Sequence, residues 1–370
     1  MSHSLFYPHS LSALLRGKAR AVLDATKNRL SSAPIIYVGE DADWIIRNVG
    51  SALSTHCLET TCGRVQCRLT ARGTRHKVLH FGTLNVFLGK GGVFREPHRS
   101  NRVMLSWYHL FPGDSCSWVS RALNIVDLWH TSSQLQALRM RSFGIPADKI
   151  LLAPLGVDLQ IFHPWPQGER DRVRTSLGIP LDAFVVGSFQ KDGDGWGAGD
   201  SPKLIKGPDI LVETLAAFST HHPVHVLLTG PSRGYVRHRL RDAGIPFRHD
   251  YLPTHDSVAR YYQALDCYLV SSREEGLPMA VLEALACGIP LVTSPVGIVP
   301  DIIQHSVNGF IYPIGDSMKA AQHLLDLAHD PMSARRVIDA GLATAGQYGW
   351  KDVVERYFAP AYRRLREISN

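Results

Sequence analysis

Apolar residues recur along this chain in short runs separated by longer amphipathic stretches. In the first half, strand-like runs lie at Pro34–Val38, Val78–Phe81, Val103–Ser106, Ile125–Trp129 and Ile150–Ala153, with helical periodicity between several of them at Asp43–Leu53 and Ser132–Arg141. The second half repeats the scheme. Its strand-like runs are Phe184–Gly187, Val224–Thr229, Asp266–Val270 and Pro290–Thr293, and its helical stretches are Gly207–Phe218, Tyr235–Ala243, Val258–Leu265 and Pro278–Cys287. Alternation of this kind predicts parallel sheets covered by helices on both faces. The expected fold class is therefore α/β, with two doubly wound, Rossmann-like domains facing one another.

The run Phe162-His163-Pro164-Trp165-Pro166-Gln167-Gly168 has the composition of a linker or turn. It sets the expected domains at 1–164 and 165–350, followed by a last helical segment, 351–370, whose pattern covers Lys351–Glu367. A length of 370 residues fits two domains at roughly 100–200 residues each. Residues 10–30 predict an additional helix with Leu11, Leu14, Leu15, Val22 and Ala25 on one face and Arg16, Arg20, Asp24 and Lys27 on the other. Packing on the first domain is the expected role; the competing reading is a basic amphipathic helix lying on anionic lipid.

Composition narrows the class. Apolar residues make up 45% and charged residues 20%, an ordinary globular mix that argues against disorder or a fibrous repeat. No run of 18 apolar residues and no signal-like apolar core near the start occurs, so the expected location is cytoplasmic, with the inner membrane face as a variant. Six cysteines are too few for a disulfide scaffold, and the five-residue spacing of Cys57, Cys62 and Cys67 matches no common zinc pattern. Charge is uneven: residues 1–149 hold 19 Lys and Arg against 9 Asp and Glu, whereas the remainder is slightly acidic. A basic front half calls for an anionic partner, and the lack of zinc-finger or RNP-like motifs argues against nucleic acid.

The stretch Ser271–Pro290 carries the chemistry. A strand-like run ends, a polar turn with Glu275 and Gly276 follows, and Pro278 stands where a helix tolerates proline, at its first position. Glu283 lies about one and a half turns further on. A helix start at the carboxyl end of a parallel strand favours anions through its free N–H groups and dipole. Acidic residues on both sides suit a ligand with phosphates in the middle and hydroxyls at its ends, as in a nucleotide sugar.

The Glu-x7-Glu pattern in SSREEGLPMAVLEALACGIPLVTSPVG resembles the donor-binding signature of retaining glycosyltransferases of family 4, which have the two-Rossmann GT-B fold. KILLAPLGVDLQIF, IVDLWHTSSQ, IKGPDILVETLAAF and HSVNGFIYPIGD resemble further segments of that family in the same order. The resemblance implies that Glu283 binds the ribose hydroxyls and that Glu275 holds donor-sugar hydroxyls, helped by the backbone around Gly276, Leu277 and Pro278. It implies that Lys206 neutralises the diphosphate and that His109, after a strand of the first domain, steadies the donor sugar. Tyr251 is expected near the nucleobase. The family's arginine after the first strand of the second domain is absent here, and Lys191 is the candidate substitute, as a point charge. The final helix is expected to cross back to the first domain.

The implied reaction moves a sugar from a nucleotide donor to an acceptor hydroxyl with retention and without a metal, in glycan or glycoconjugate synthesis. The acceptor is expected to be anionic or lipid-linked, with the basic front half making peripheral membrane contact. The Asp-x-Asp sequences at Asp41-Ala42-Asp43 and Asp192-Gly193-Asp194 are read as unrelated to metal, and the Gly/Asp-rich loop Asp192–Asp200 as a flexible flap with Trp196 as a stacking surface. Alternatives are a noncatalytic nucleotide-sugar or membrane-binding protein, a sugar phosphorylase or an inverting transferase. A nicotinamide dehydrogenase and a P-loop triphosphatase are disfavoured because neither glycine motif occurs.

Overall fold

The computed structural model describes residues 11–40, 45–88, 96–110, 118–166, 168–195 and 197–367. Asp41-Ala42-Asp43 and Trp196 lie outside the described residues. The chain forms two compact units, one from residues 9–156 and 350–370 and the other from Val157–Gly349.

In the N-terminal unit six parallel strands, β1 (Ile35–Val38), β2 (Val65–Arg68), β3 (Val78–Phe81), β4 (Arg102–Ser106), β5 (Leu128–Thr131) and β6 (Ile150–Leu152), form a sheet of order β2-β1-β3-β4-β5-β6. The central strands β1, β3 and β5 are buried throughout, which explains their largely apolar character. In the C-terminal unit the parallel strands are β7 (Phe184–Ser188), β8 (Val224–Thr229), β9 (Phe247–Asp250), β10 (Cys267–Val270), β11 (Leu291–Thr293) and β12 (Phe310–Ile311), ordered β12-β11-β10-β7-β8-β9. Strand order reverses between β7 and β10, which pair directly at Cys267 with Val186 and Tyr268 with Gly187. In an open α/β sheet, ligands bind outside the carboxyl ends of the strands at such a reversal.

Two expectations need correction. The chain changes unit at Gly156–Val157, ahead of the Pro164 boundary. Phe162 is buried beside Tyr262, and Trp165 N–H donates to Gln263 Oε1 (3.1 Å), so the aromatic residues of the proline-rich run anchor it to the C-terminal unit. The return to the N-terminal unit begins at Trp350. It contains a π-helical turn at Val354–Phe358 before the helix Ala359–Glu367.

In the first helix, Leu11–Leu30, the described side chains that bond to the rest of the unit are polar. Asp24 Oδ2 accepts the Leu69 N–H at 2.8 Å, and the buried Asn28 amide donates to Thr70 O and Arg72 O, both at 2.9 Å. Val22, expected on the apolar face, is exposed, as is its neighbour Leu23, whereas Ala25 is half-buried. The loop 69–72 presents backbone donors and acceptors that an apolar helix face could not satisfy. Among the described residues, no helix is long and apolar enough to cross a membrane.

Candidate functional site

Two loops at the strand-order reversal build the site. One follows β7 and ends in the short turn Leu204–Lys206, and the other follows β10 and leads into the helix Met279–Ala286. Gly207 sets their separation. Its φ is +61°, and a Cβ there would lie 1.8 Å from the Ser271 carbonyl oxygen. Only glycine allows both the left-handed backbone and this approach. Arg273 locks the arrangement with paired bonds to Asp209 (2.8 and 2.6 Å) and a third to Leu204 O (2.7 Å). The Arg273 guanidinium holds the Asp209 carboxyl below its ordinary range.

Lys206 and Glu275 meet as a result. Lys206 Nζ donates to both Glu275 oxygens, at 2.6 and 2.5 Å. The carboxylate is almost buried, with 6% of its side chain exposed against 21% for the lysine. Ser272 Oγ also donates to Glu275 Oε1 at 2.8 Å, and Gln190 Nε2 donates to Lys206 O at 2.9 Å. Beside this pair the helix start is open. Among the described residues, no group accepts the N–H of Gly276 or Leu277. Pro278 stands one position earlier than expected, as the cap preceding Met279. The first turn therefore leaves N–H groups of Met279 and Ala280 without intrahelical partners.

Glu283 is buried on the same helix and already engaged. His255 Nε2 donates to its Oε1 at 2.8 Å and the Tyr262 hydroxyl to its Oε2 at 2.9 Å. Burial, with this carboxylate beside it, holds the Tyr262 phenol well above its ordinary range, so it remains a donor. His255 is a third exposed, making it the partner that can yield to a ligand hydroxyl. Tyr251 follows β9 and is 74% exposed. His109 is an exposed residue of the N-terminal unit, three positions beyond β4, and its carbonyl accepts the Trp107 indole N–H at 3.0 Å.

Lys191 is partly buried at the start of the glycine-rich loop, with its ammonium lowered by burial and then by the neighbouring Lys203. The described part of that loop is anchored, which corrects the expectation of a flexible flap. Gly193 bridges Pro202, and the carbonyls of Ala198 and Gly199 accept the N–H groups of Gly234 (2.7 Å) and Tyr235 (2.8 Å), capping the helix Gly234–Asp242. A Cβ at Gly199 would lie 2.2 Å from the Ser232 backbone. Beneath the loop, Arg233 and Asp192 form a fully buried ion pair at 3.0 Å. Arg233 Nη1 also reaches the carbonyls of Ser188 (2.7 Å) and Gln190 (2.5 Å). Burial raises the Asp192 carboxyl, and Arg233 opposes that rise.

Comparison with known proteins gives a family match in the C-terminal unit and a fold match over most of the chain. Residues 202–343 match the family model "Glycosyl transferases group 1". The fold is the two-Rossmann GT-B type. It superposes on Anabaena Alr3699/HepE in complex with UDP with a TM-score of 0.70, at 16% identity over 89% of this chain and 99% of that one. Sucrose-phosphate synthase from Thermosynechococcus elongatus gives 0.67 at 18% identity, over 90% and 99%. In sequence, D-inositol 3-phosphate glycosyltransferase 1 of Catenulispora acidiphila is 28% identical over 242 residues, 61% of this chain and 54% of that protein. The chain spans about half the length of the curated relatives it matches.

Proposed function

We propose that this protein is a glycosyltransferase that moves a sugar from a nucleoside-diphosphate sugar to an acceptor hydroxyl, with retention at the anomeric carbon. The observation that carries this reading is the Lys206–Glu275 pair beside the open N–H groups of Gly276 and Leu277, at the strand-order reversal. A cation and a helix start there suit a diphosphate, and the adjoining carboxylate suits sugar hydroxyls. Two structural neighbours are complexes with UDP and with UDP-glucose, which supports a nucleotide donor and puts uridine first among the nucleosides to try.

In this reading the anomeric carbon gains oxocarbenium character as its bond to the diphosphate breaks, and negative charge grows on the departing oxygens. Lys206 and the helix start stabilise that charge, with Lys191 adding to the cationic field. Groups fixed in place before the reaction do this without reorganising; losing one such donor costs about 10²–10³ in turnover. Glu275 holds donor hydroxyls, Glu283 binds the ribose once His255 yields, Tyr251 lies towards the nucleobase and His109 bonds a sugar hydroxyl. No metal is needed because side chains and backbone supply the positive charge. The acceptor is anionic or lipid-linked and is recognised by the basic N-terminal half; relatives named for D-inositol 3-phosphate, itself an anion, support that choice.

The test is turnover of UDP-, GDP- and ADP-sugars with inositol phosphate and anionic lipid acceptors, in EDTA, with the product anomer assigned by NMR. The expected result is a product of retained configuration that Lys206→Ala and Glu283→Ala greatly diminish. Full activity in both variants, or an inverted product, overturns the assignment.

A further inference from the structure

Lys203 is partly buried beside the Lys206–Glu275 pair, yet its ammonium makes no hydrogen bond or ion pair among the described residues. Its position is fixed by the backbone. Its N–H donates to Asp192 O and its carbonyl accepts the Lys206 N–H, both at 2.8 Å. The neck below is closed by the Gly193–Pro202 bridge and by Asp194 N–H on Ser201 O at 2.9 Å. Arg233 holds the inner end of the same loop through Ser188, Gln190 and Asp192.

The surrounding carboxylates are committed elsewhere. Glu275 takes Lys206, Asp192 is paired with Arg233 and Asp209 with Arg273. Asp194 remains near Lys203 but is exposed to water. Lys203 therefore adds positive charge where Lys206 already stands; burial first, and then Lys206, lower its ammonium. Like charges kept together in a partly buried place, on a loop this firmly anchored, mark a seat for an anion.

We infer that Lys203 is a diphosphate-binding residue, meeting the nonbridging oxygens of a nucleoside diphosphate alongside Lys206. The inference rests on the donor reading above and adds the residue that completes the charge. Gln190 and the Arg233–Asp192 pair fix the loop, while Lys203 touches the ligand.

Calorimetric titration of UDP, with uridine as the phosphate-free control read by ligand-observed NMR, tests it. Lys203→Ala is expected to weaken UDP binding about 10- to 100-fold, the range for a lost bond to a charged group. Uridine binding and the melting temperature should stay unchanged, and Lys203→Arg should restore most of the UDP affinity. Unchanged UDP affinity in Lys203→Ala, or equal loss of UDP and uridine, overturns the inference while leaving the donor reading intact. Wild-type protein that binds none of UDP, GDP and ADP overturns the donor reading, and this inference with it.

Discussion

One buried network of the N-terminal unit and the site loops of the C-terminal unit treat polar groups in opposite ways. In the N-terminal unit, β3, β4 and β5 carry His80, Ser106 and His130 into the interior, all fully buried. They form a chain from the Tyr362 hydroxyl to His80 Nδ1 (2.7 Å), His80 Nε2 to Ser106 Oγ (2.7 Å), Ser106 Oγ to His130 Nδ1 (2.7 Å) and His130 Nε2 to Ala153 O (3.0 Å). A carbonyl can only accept, so His130 Nε2 carries the proton. With both rings neutral, every other bond then takes its direction: Ser106 donates to His130, His80 to Ser106 and Tyr362 to His80. The network is neutral and complete. In the C-terminal unit, the loops after β7 and β10 hold charged pairs and leave N–H groups and a lysine open. The satisfied network fastens the returning helix to its sheet, whereas the open N–H groups and lysine of the C-terminal loops suit an anionic ligand.

Substitution on each side can break that contrast. The largest effect is expected from Glu275→Ala, which should reduce kcat/KM for sugar transfer by about 10²–10³ with little change in stability, since Lys206 can turn to water. Steady-state kinetics and a thermal melt check this; a large loss of stability with unchanged turnover would make the pair structural and erase the difference between the units.

Acidification should act on the N-terminal unit. Burial lowers His130 to about 4, and it lowers His80 well below its ordinary value. Unfolded histidine titrates near 6.5, so between about pH 6.5 and 4 the unfolded chain binds protons that the native one refuses. Stability is therefore complete above about 6.5 and is lost as pH falls; His130 accounts for about 3 kcal/mol. Denaturant melts at pH 7.0 and 4.5 measure the loss, and His130→Phe should flatten it. An unaltered pH slope in that variant would remove the relay from the explanation. Tyr362→Phe should be milder. It strands the His80 Nδ1 acceptor at about 1–3 kcal/mol and leaves turnover per folded molecule intact.

How far the sequence could be read follows from the same physics. Strands buried on both faces, such as Val224–Thr229, announce themselves as apolar runs. The unread strands β2, β9 and β12 all lie at sheet edges. Phe247–Asp250 is half-buried along its length and Val65–Arg68 mixes buried with exposed positions, so neither shows such a run. The helices Ser317–His329 and Pro331–Ala345 went unread, although their capping residues Asp316 and Asp330 and Pro331 at a helix start mark them. At the site, Lys206, Glu275 and Glu283 were readable because each belongs to a local motif. Arg233, Asp192, Gln190, His255 and Tyr262 were not, because their roles exist only through partners distant in sequence. Lys203 stood three residues from Lys206, and only its burial beside committed carboxylates distinguishes it from an ordinary surface lysine.

The smallest expected effect concerns the basic half of the contrast. On the helix Leu11–Leu30, Val22 and Leu23 are 67% and 53% exposed, while Asp24 and Asn28 secure the other side. Arg20, Lys27 and Arg29 are likewise exposed. Exposed apolar positions among basic ones are the arrangement by which a helix rests on anionic lipid. Val22→Glu with Leu23→Glu should change stability by no more than about 0.5 kcal/mol, because neither side chain is buried. Sedimentation with phosphatidylserine vesicles should nevertheless fall in the variant, and wild-type binding should weaken as salt rises, because charge attraction is screened. Equal binding by variant and wild type would assign the charge surplus to an anionic acceptor alone, and binding insensitive to salt would remove electrostatics from the membrane contact.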